Sequence, residues 1–413
     1  QIAPVLEKTS IASHSPLTSL VKPFIAPVEE SQTSDSVLLV KKSVRTIQKN
    51  WKIYKEKKTK RSEKVEKAIR VIQKHWKNYK KNKENRDSSS SESDPVHEVS
   101  DAERVICIGD LHGNLVELKQ LWVMLEQTLG PEKLNRATII FLGDYCDRGP
   151  DTKGVLDWLI SLRDSRLENP DCGSVNFITG NHDFAMAAYL GCLPVDGEPT
   201  AEELEASARD NLGASNAITY KVKGGMHYEG RRWGSKLAYS SKETFKSYGL
   251  KGSFRSTKKT RRDLLSKVPE SHKEFLSQLL WVYDQPVAWG PGRLVCTHAG
   301  LLSDVALAPQ LAALKSRNFS DTALFEADRP GRIAPMIGRK TVLPMPKELE
   351  GKAVFVSGHH GFTDVSKDRM IVDASGGRPS KVSPIHGVVF PEMLLVGSNM
   401  TVEKVREPYF KRS

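Results

Sequence analysis

The sequence has no apolar run approaching ~20 residues, so no membrane-spanning helix is expected. Its first forty residues lack a charged stretch followed by an apolar one, so no secretory signal is visible in them. Cysteine is sparse: five residues, an odd number, with no C-x-x-C pair. Cys107, Cys146 and Cys296 fall in or beside apolar runs, which fits reduced thiols in an intracellular protein. The cytoplasm is the expected compartment, with the nucleus as the alternative. Hydrophobic residues make up only 38% of the 413, low for one globular unit, so part of the chain is expected to stay out of any core.

Acidic residues are nearly missing from one segment. Residues 41–86 carry 19 Lys or Arg against 4 Glu, a surplus of 15, so with a net charge of +12 the remainder is slightly acidic. The basicity is local, and nucleic acid is not an expected partner of the body of the chain. The segment contains a repeat. Val44, Ile47, Trp51 and Tyr54 are spaced 3, 4, 3, and Ile69, Ile72, Trp76 and Tyr79 repeat that spacing 25 residues later. This is one apolar stripe on a helix, surrounded by lysine. A basic helix with an aromatic stripe suits a calmodulin-type partner. The two units resemble degenerate IQ motifs: Ile47-Gln48 with Lys52 and Lys57, then Ile72-Gln73 with Lys77, and Asn82 at the last basic position. Ile53 and Asn78 stand where the central glycine belongs. The resemblance implies calmodulin or a calmodulin-like protein on residues 41–86, with Ile47, Gln48, Trp51, Ile72, Gln73 and Trp76 as contacts. The plainer alternative is a basic helix that packs on the body of the chain, on RNA or on anionic lipid.

Composition divides the chain further. Residues 1–40 are rich in Ser, Thr, Pro and Val without periodicity and read as disordered, and 87–102 read as a Ser-rich acidic linker. From 103 to 406 the pattern becomes β-α-β. Strand-like runs are Arg104–Ile108, Thr138–Leu142, Val175–Ile178, Leu294–Cys296 and Ala353–Val356. Helices are expected from Asn114, with Leu118, Leu121, Trp122, Leu125 and Leu129 on one face, and through Val155, Leu156, Leu159 and Leu162. Residues 194–269 look irregular and locally basic, the kind of insert that shapes a substrate site. Ile371-Val372, 387–390 and 393–396 suggest a β-rich finish.

Each of the five runs ends, within a few residues, in a side chain suited to metal binding or proton transfer. In order these are Asp110 with His112, Asp144, Asn181 with His182, His298 and His359. Singly, each has a bland reading as a core histidine, a cap or a salt-bridged turn. Five in succession after strands converge on one site if the strand ends do. Mixed nitrogen and hard oxygen donors suit Mn, Fe or Zn, and their number suggests two ions sharing a carboxylate. A bimetal centre serves displacement at phosphorus.

Gly109-Asp110-Leu111-His112-Gly113, Gly143 to Gly149, Gly180-Asn181-His182-Asp183 and His298-Ala299-Gly300 together resemble the phosphoprotein phosphatases, calcineurin-like metallophosphoesterases. Residues 141–150, 180–184, Gly230-Arg231-Arg232-Trp233, 269–273 and 356–361 bring the body closer to the plant Rhizobiales-like phosphatases. The implied fold is an α/β sandwich of two mixed sheets flanked by helices. The resemblance implies Asp110 and His112 on one metal, Asp144 bridging, and Asn181, His298 and His359 on the second, with His359 favoured over His360. It further implies attack by a metal-bridging hydroxide, His182 as general acid, Asp147 orienting it, and Arg148 and Asn181 on the phosphate. Arg231 or Arg232 would be the second phosphate-binding arginine.

Thr179 and Asp183 stand where the eukaryotic Ser/Thr enzymes have arginine and glutamate, and Ala299 replaces a glycine. Substrate class therefore cannot be copied from those enzymes, and it is the resemblance to the Rhizobiales-like group that implies phosphotyrosine in a phosphoprotein as the substrate. The alternatives are a dinucleoside polyphosphate or nucleotide hydrolase of the same fold, and a calmodulin-binding scaffold with an inactive phosphatase domain.

Overall fold

The computed structural model describes residues 104–193, 227–233, 239–251, 258–318, 321–326 and 329–409. The repeat carrying Ile47, Gln48, Trp51, Ile72, Gln73 and Trp76, the segment before it and the linker lie outside them. Strands β1 (Val105–Ile108), β2 (Thr138–Phe141) and β3 (Val175–Phe177) run parallel and adjacent. Helices α1 (Leu115–Leu129), α2 (Pro131–Arg136) and α3 (Thr152–Glu168) connect them. Each crossover returns to the same sheet edge direction, so β1, β2 and β3 all point their C-terminal ends one way. Helix α4 (Asn181–Leu190) follows β3, and α5 (Tyr228–Trp233), α6 (Lys242–Ser247), α7 (Lys258–Leu265) and α8 (Glu270–Gln278) precede β4 (Tyr283–Pro286).

The second half supplies β5 (Arg293–Cys296), α9 (Leu307–Lys315), β6 (Phe325–Glu326), β7 (Arg329–Ile333), α10 (Ala334–Ile337), β8 (Val354–Ser357), β9 (Thr363–Asp364) and β10 (Arg369–Val372). The chain then returns to the first sheet with β11 (His386–Phe390), β12 (Leu394–Gly397) and β13 (Val402–Lys404). One sheet has the order β13-β12-β11-β1-β2-β3, the other β4-β5-β8-β10-β9, and both mix parallel and antiparallel pairs. A small β6-β7 pair stands apart from them.

Strand alternation builds the layers. Val105, Cys107, Ile140 and Leu142 face Leu294, Cys296, Val354 and Val356 of the other sheet, and Cys107 Sγ lies 3.9 Å from Cys296 Sγ. Ile106, Ile108, Ile139 and Phe141 face outward onto Leu118, Leu121, Leu125, Val155 and Leu159 of the helices. On the far side Val295 and Phe355 pack against Leu311 and Leu314 of α9. Strands buried on both faces show no polar alternation, which is why these runs read as continuous apolar stretches. The expected α/β architecture, two mixed sheets flanked by helices, is what the chain adopts. The stretch expected to be irregular contains α5, α6 and α7, because Trp233, Phe245 and Leu264 are buried in the same core as α3 and α4. Among the described residues no helix is long and apolar enough to cross a membrane.

Candidate active site

All five strand-end positions meet at one edge of the sandwich. Asp110, His112, Asp144, His182 and His298 are at most 2% exposed, His359 7% and Asn181 9%, so this is a buried polar cluster rather than a surface patch. Burial of that much charge-capable surface is costly without strong partners. Backbone strain concentrates here as well. Nine described non-glycine residues have positive φ, and five of them are His112, Asp144, Asp147, Arg148 and His359. Side chains other than glycine tolerate that region poorly, so the loops are held there by their surroundings. Gly358 shows how tight those surroundings are: a Cβ on it would lie 2.2 Å from Asp110 Oδ1.

The hydrogen bonds leave acceptors facing acceptors. His298 Nδ1–H donates to the Leu142 carbonyl at 2.8 Å. Its Nε2 then looks at Asn181 Oδ1 (3.3 Å), Asp144 Oδ2 (3.4 Å) and His359 Nδ1 (3.2 Å). His112 Nδ1–H donates to the Cys146 carbonyl at 2.8 Å, which turns Nε2 toward Asp144 Oδ2 at 3.2 Å and Asp110 Oδ2 at 3.8 Å. Asp110 Oδ2 and His359 Nε2 are buried and have no hydrogen-bond partner. Lone pairs converging in this way call for positive charge, and the ionisations report the same demand. Burial opposes charge on His298, yet Asp144 and Asp110 raise it to about 9. Burial would raise Asp144, but His298, His182 and His112 together hold it well below the ordinary carboxylate range. Asp110 is pushed well up by burial, Asp373 and Asp144.

Two sets of donors lie within reach of common points: Asp144 with His112 and His182, and Asp144 with His298 and His359. Nitrogen and carboxylate donors with orphaned lone pairs fit a pair of divalent or trivalent ions sharing Asp144. His182 belongs to the first set by distance alone. Its Nδ1–H is committed to Asp147 Oδ2 at 2.7 Å, and its Nε2 accepts from Arg148 Nη2 at 3.2 Å. His359 is buried in the cluster, whereas His360 is half-buried with a ring N–H on the Ala299 carbonyl.

Asp147 is fully buried and receives Thr244 Oγ1–H at 2.7 Å and Trp233 Nε1–H at 2.8 Å. Burial raises it to about 7 despite those two donors, and burial lowers His182 to about 3. Asp183 ties two loops together. Its Oδ1 accepts from the Tyr145 amide and its Oδ2 from the Gly180 amide, which locks the strained turn after β2 to the start of α4.

Arg148 reaches His112 Nε2 and the Gly376 carbonyl through Nη1, at 2.9 and 2.7 Å. Arg232 grips both oxygens of Glu229, and Arg231 lies over the Tyr228 ring. Arg339, which sequence reasoning missed, donates to the His359 carbonyl at 2.6 Å. Burial and Arg148 lower its pKa, while Asp144, Asp110 and Asp373 act the other way. Asp373 was also missed, although it directly follows β10 and so obeys the same strand-end rule. Trp233, Thr244 and Tyr239 had no local signal: Trp233 lies beside the two arginines that drew attention to its stretch.

A model of the calcineurin-like phosphoesterase family matches residues 103–373. The symmetrical bis(5'-nucleosyl)-tetraphosphatase of Pectobacterium atrosepticum is 38% identical over 85 residues, 20% of this chain and 25% of that protein. Its counterpart in Pectobacterium carotovorum is 36% identical over the same length. The chain thus spans about a quarter of the length of the curated relatives it matches. Among solved structures, a cold-active protein-tyrosine phosphatase of a psychrophilic Shewanella shares 14% identity, covering 74% of this chain and 80% of that one at a TM-score of 0.39. A protein serine/threonine phosphatase of Saccharomyces cerevisiae shares 13%, covering 76% and 81% at a TM-score of 0.35. Membership rests on the family model, which matches well over half the chain and runs from just before β1 to Asp373 at the edge of the site. The chain belongs to the calcineurin-like phosphoesterase family.

Proposed function

We propose that this protein is a metal-dependent phosphomonoesterase that acts on phosphoproteins, with phosphotyrosine as its preferred group. The observation that carries the reading is the line Asp147–His182–Arg148 beside the cluster of unpartnered ligand atoms. Asp110, His112 and Asp144 would hold one ion, and Asp144, Asn181, His298 and His359 the other. When bound, such ions draw charge off phosphoryl oxygens and lower the pKa of water at the site.

The chain's own residues supply the rest. Arg148 offers a planar fork of donors to the phosphate, which a lysine could not reproduce. Arg339, bonded to the carbonyl of His359, would be the second arginine. A phosphate dianion on Arg148 takes that guanidinium off His182 Nε2 and favours the doubly protonated ring. Asp147 holds Nδ1–H and stabilises the charge, while Nε2–H is delivered to the leaving oxygen. Thr244 and Trp233 keep Asp147 in place.

The tyrosine preference rests on the resemblance of the motif stretches to the Rhizobiales-like phosphatases. Asp183 closes a loop-to-helix tie within the protein. The test is a panel of phosphotyrosine, phosphothreonine and phosphoserine peptides with a dinucleoside tetraphosphate, assayed with Mn²⁺ and after chelation. Phosphotyrosine cleavage that chelator abolishes and Mn²⁺ restores is expected. Faster turnover of the dinucleotide would replace this reading with nucleotide hydrolysis, and no metal-dependent turnover of any substrate would favour the inactive scaffold.

A further inference from the structure

Arg148 is the cation that the proposed mechanism sets on phosphate, yet most of its present partners are groups that a loaded site would claim. Among the described residues its guanidinium has three. Nη1 donates to His112 Nε2 at 2.9 Å and to the Gly376 carbonyl at 2.7 Å, and Nη2 donates to His182 Nε2 at 3.2 Å. An ion held by His112 would occupy the first, and a phosphate would draw the guanidinium off the third. The Gly376 carbonyl is what remains to aim it.

That carbonyl belongs to the turn after β10. Gly376 and Gly377 have φ of +50° and +74°, and two adjacent glycines are the least rigid backbone a turn can have. The turn needs fastening from outside, and Asp373 supplies it. The residue is 2% exposed, and each carboxylate oxygen receives one backbone N–H. Gly376 donates to Oδ1 at 3.0 Å, and Gly361 donates to Oδ2 at 2.7 Å. The Asp373 N–H donates in turn to the Phe362 carbonyl at 3.1 Å, so one residue is tied twice to the loop after β8.

Fastened in this way, the turn lies against the two side chains it serves. A Cβ on Gly377 would stand 2.2 Å from His112 Cδ2 and 2.7 Å from Arg148 Cδ. The Gly377 N–H donates to Ser375 Oγ at 3.1 Å, a second and more exposed tie within the turn. An ionised carboxylate suits the task because both of its oxygens accept. An amide in its place would set an NH₂ against one of the two N–H groups in a buried site.

We propose that Asp373 is a positioning residue for phosphate binding: it fixes the Gly376 carbonyl, and that carbonyl keeps Arg148 aimed once His112 and His182 have released it. The inference rests on the reading of Arg148 as the phosphate-binding arginine.

The test is equilibrium dialysis of radiolabelled inorganic phosphate against Mn²⁺-loaded full-length protein, with bound Mn²⁺ counted in the same samples. The unsubstituted protein should bind phosphate; no binding would overturn the proposed function and this inference with it. Asp373→Asn should weaken phosphate by roughly 10-fold, the scale of one buried hydrogen bond lost, with Mn²⁺ content unchanged. Ser375→Ala loosens the same turn and should weaken phosphate by less. The deciding measurement places Asp373→Asn on an Arg148→Ala background. There it should change phosphate affinity less than about twofold, because the group it aims is gone. Unchanged affinity in Asp373→Asn, or in Ser375→Ala should the first variant fail to fold, overturns the inference. So does an equal loss in both backgrounds or a fall in Mn²⁺ content, since either would mean that Asp373 acts by another route, through the His359 loop.

Discussion

Asp144, Asp147 and Arg148 sit within five residues, yet their side chains do three separate things. Asp144 faces three histidines, Asp147 holds one of them by its Nδ1–H, and Arg148 stands across from the same ring's Nε2. All three have positive φ, a backbone region that ordinary turns of such residues avoid, and it is held by the surrounding structure. His182 is the residue on which the proposed chemistry turns. His182→Ala should lower the rate on alkyl or peptide phosphates by on the order of 10²–10⁴-fold, and much less on p-nitrophenyl phosphate, whose leaving oxygen needs no proton. Steady-state kinetics on the two substrates checks this. An equal loss on both would remove His182 as the acid and leave it a structural or ligand role.

At the level of elements, what could be read from sequence follows burial. β1, β2, β5 and β8 announce themselves because both faces are apolar, and each is followed by a polar side chain that has no reason to sit beside a core unless it is used. β4 (Tyr-Asp-Gln-Pro), β9 (Thr-Asp) and β13 (Val-Glu-Lys) lie at sheet edges, are short and polar, and carry no such signal. The supports of the site were hidden for a different reason. Trp233 and Thr244 reach Asp147 from 86 and 97 positions away, a pairing set by how α5 and α6 fold back and not by local spacing.

His272 performs a similar joining role among helices. It lies on α8, accepts from the Tyr248 hydroxyl just after α6 at 2.7 Å, and donates to Asp157 on α3 at 2.9 Å. Burial lowers its pKa, and Asp157 only partly offsets that, with Lys153 adding to the lowering. Because the folded value lies below the unfolded value of about 6.5, the neutral ring is the form that folding favours. Its stabilisation is complete above pH ~6.5 and is lost as pH falls from there toward the lowered folded value. One proton limits the slope to about 1.4 kcal/mol per pH unit. His272→Gln can keep both hydrogen bonds without titrating. Denaturant unfolding at pH 7.5 and 5.5 should therefore show a smaller acid loss in the variant than in the unsubstituted protein. Equal losses would mean that His272 does not carry the pH dependence.

At the scale of the whole catalytic body, the candidate ligands come from both sheets. Asp110, Asp144 and Asn181 follow strands of the six-stranded sheet, and His298, His359 and Asp373 follow strands of the five-stranded one. Behind them the sheets are joined by apolar packing from Cys107, Ile140 and Leu142 to Cys296, Val354 and Val356. At the ligand edge the joint is polar: burial first, and then the neighbouring Asp373 and Asp144, push Asp110 up, so its charge is disfavoured there. Ions there would clamp that edge and favour the charged form, so binding should stabilise the fold as a unit rather than one loop. A ligand at 1,000 times its Kd adds about 4 kcal/mol per independent site when it binds only the folded state. Thermal unfolding of chelator-stripped protein should therefore move upward by several degrees with added Mn²⁺ and keep rising with its concentration. Asp144→Asn weakens the ligand common to both donor sets, so it should abolish most of that rise, although its ion-free midpoint can stand higher because a buried charge is gone. A midpoint indifferent to Mn²⁺ in the unsubstituted protein would show that the polar edge is held by its own hydrogen bonds, and that the two sheets need no ion between them.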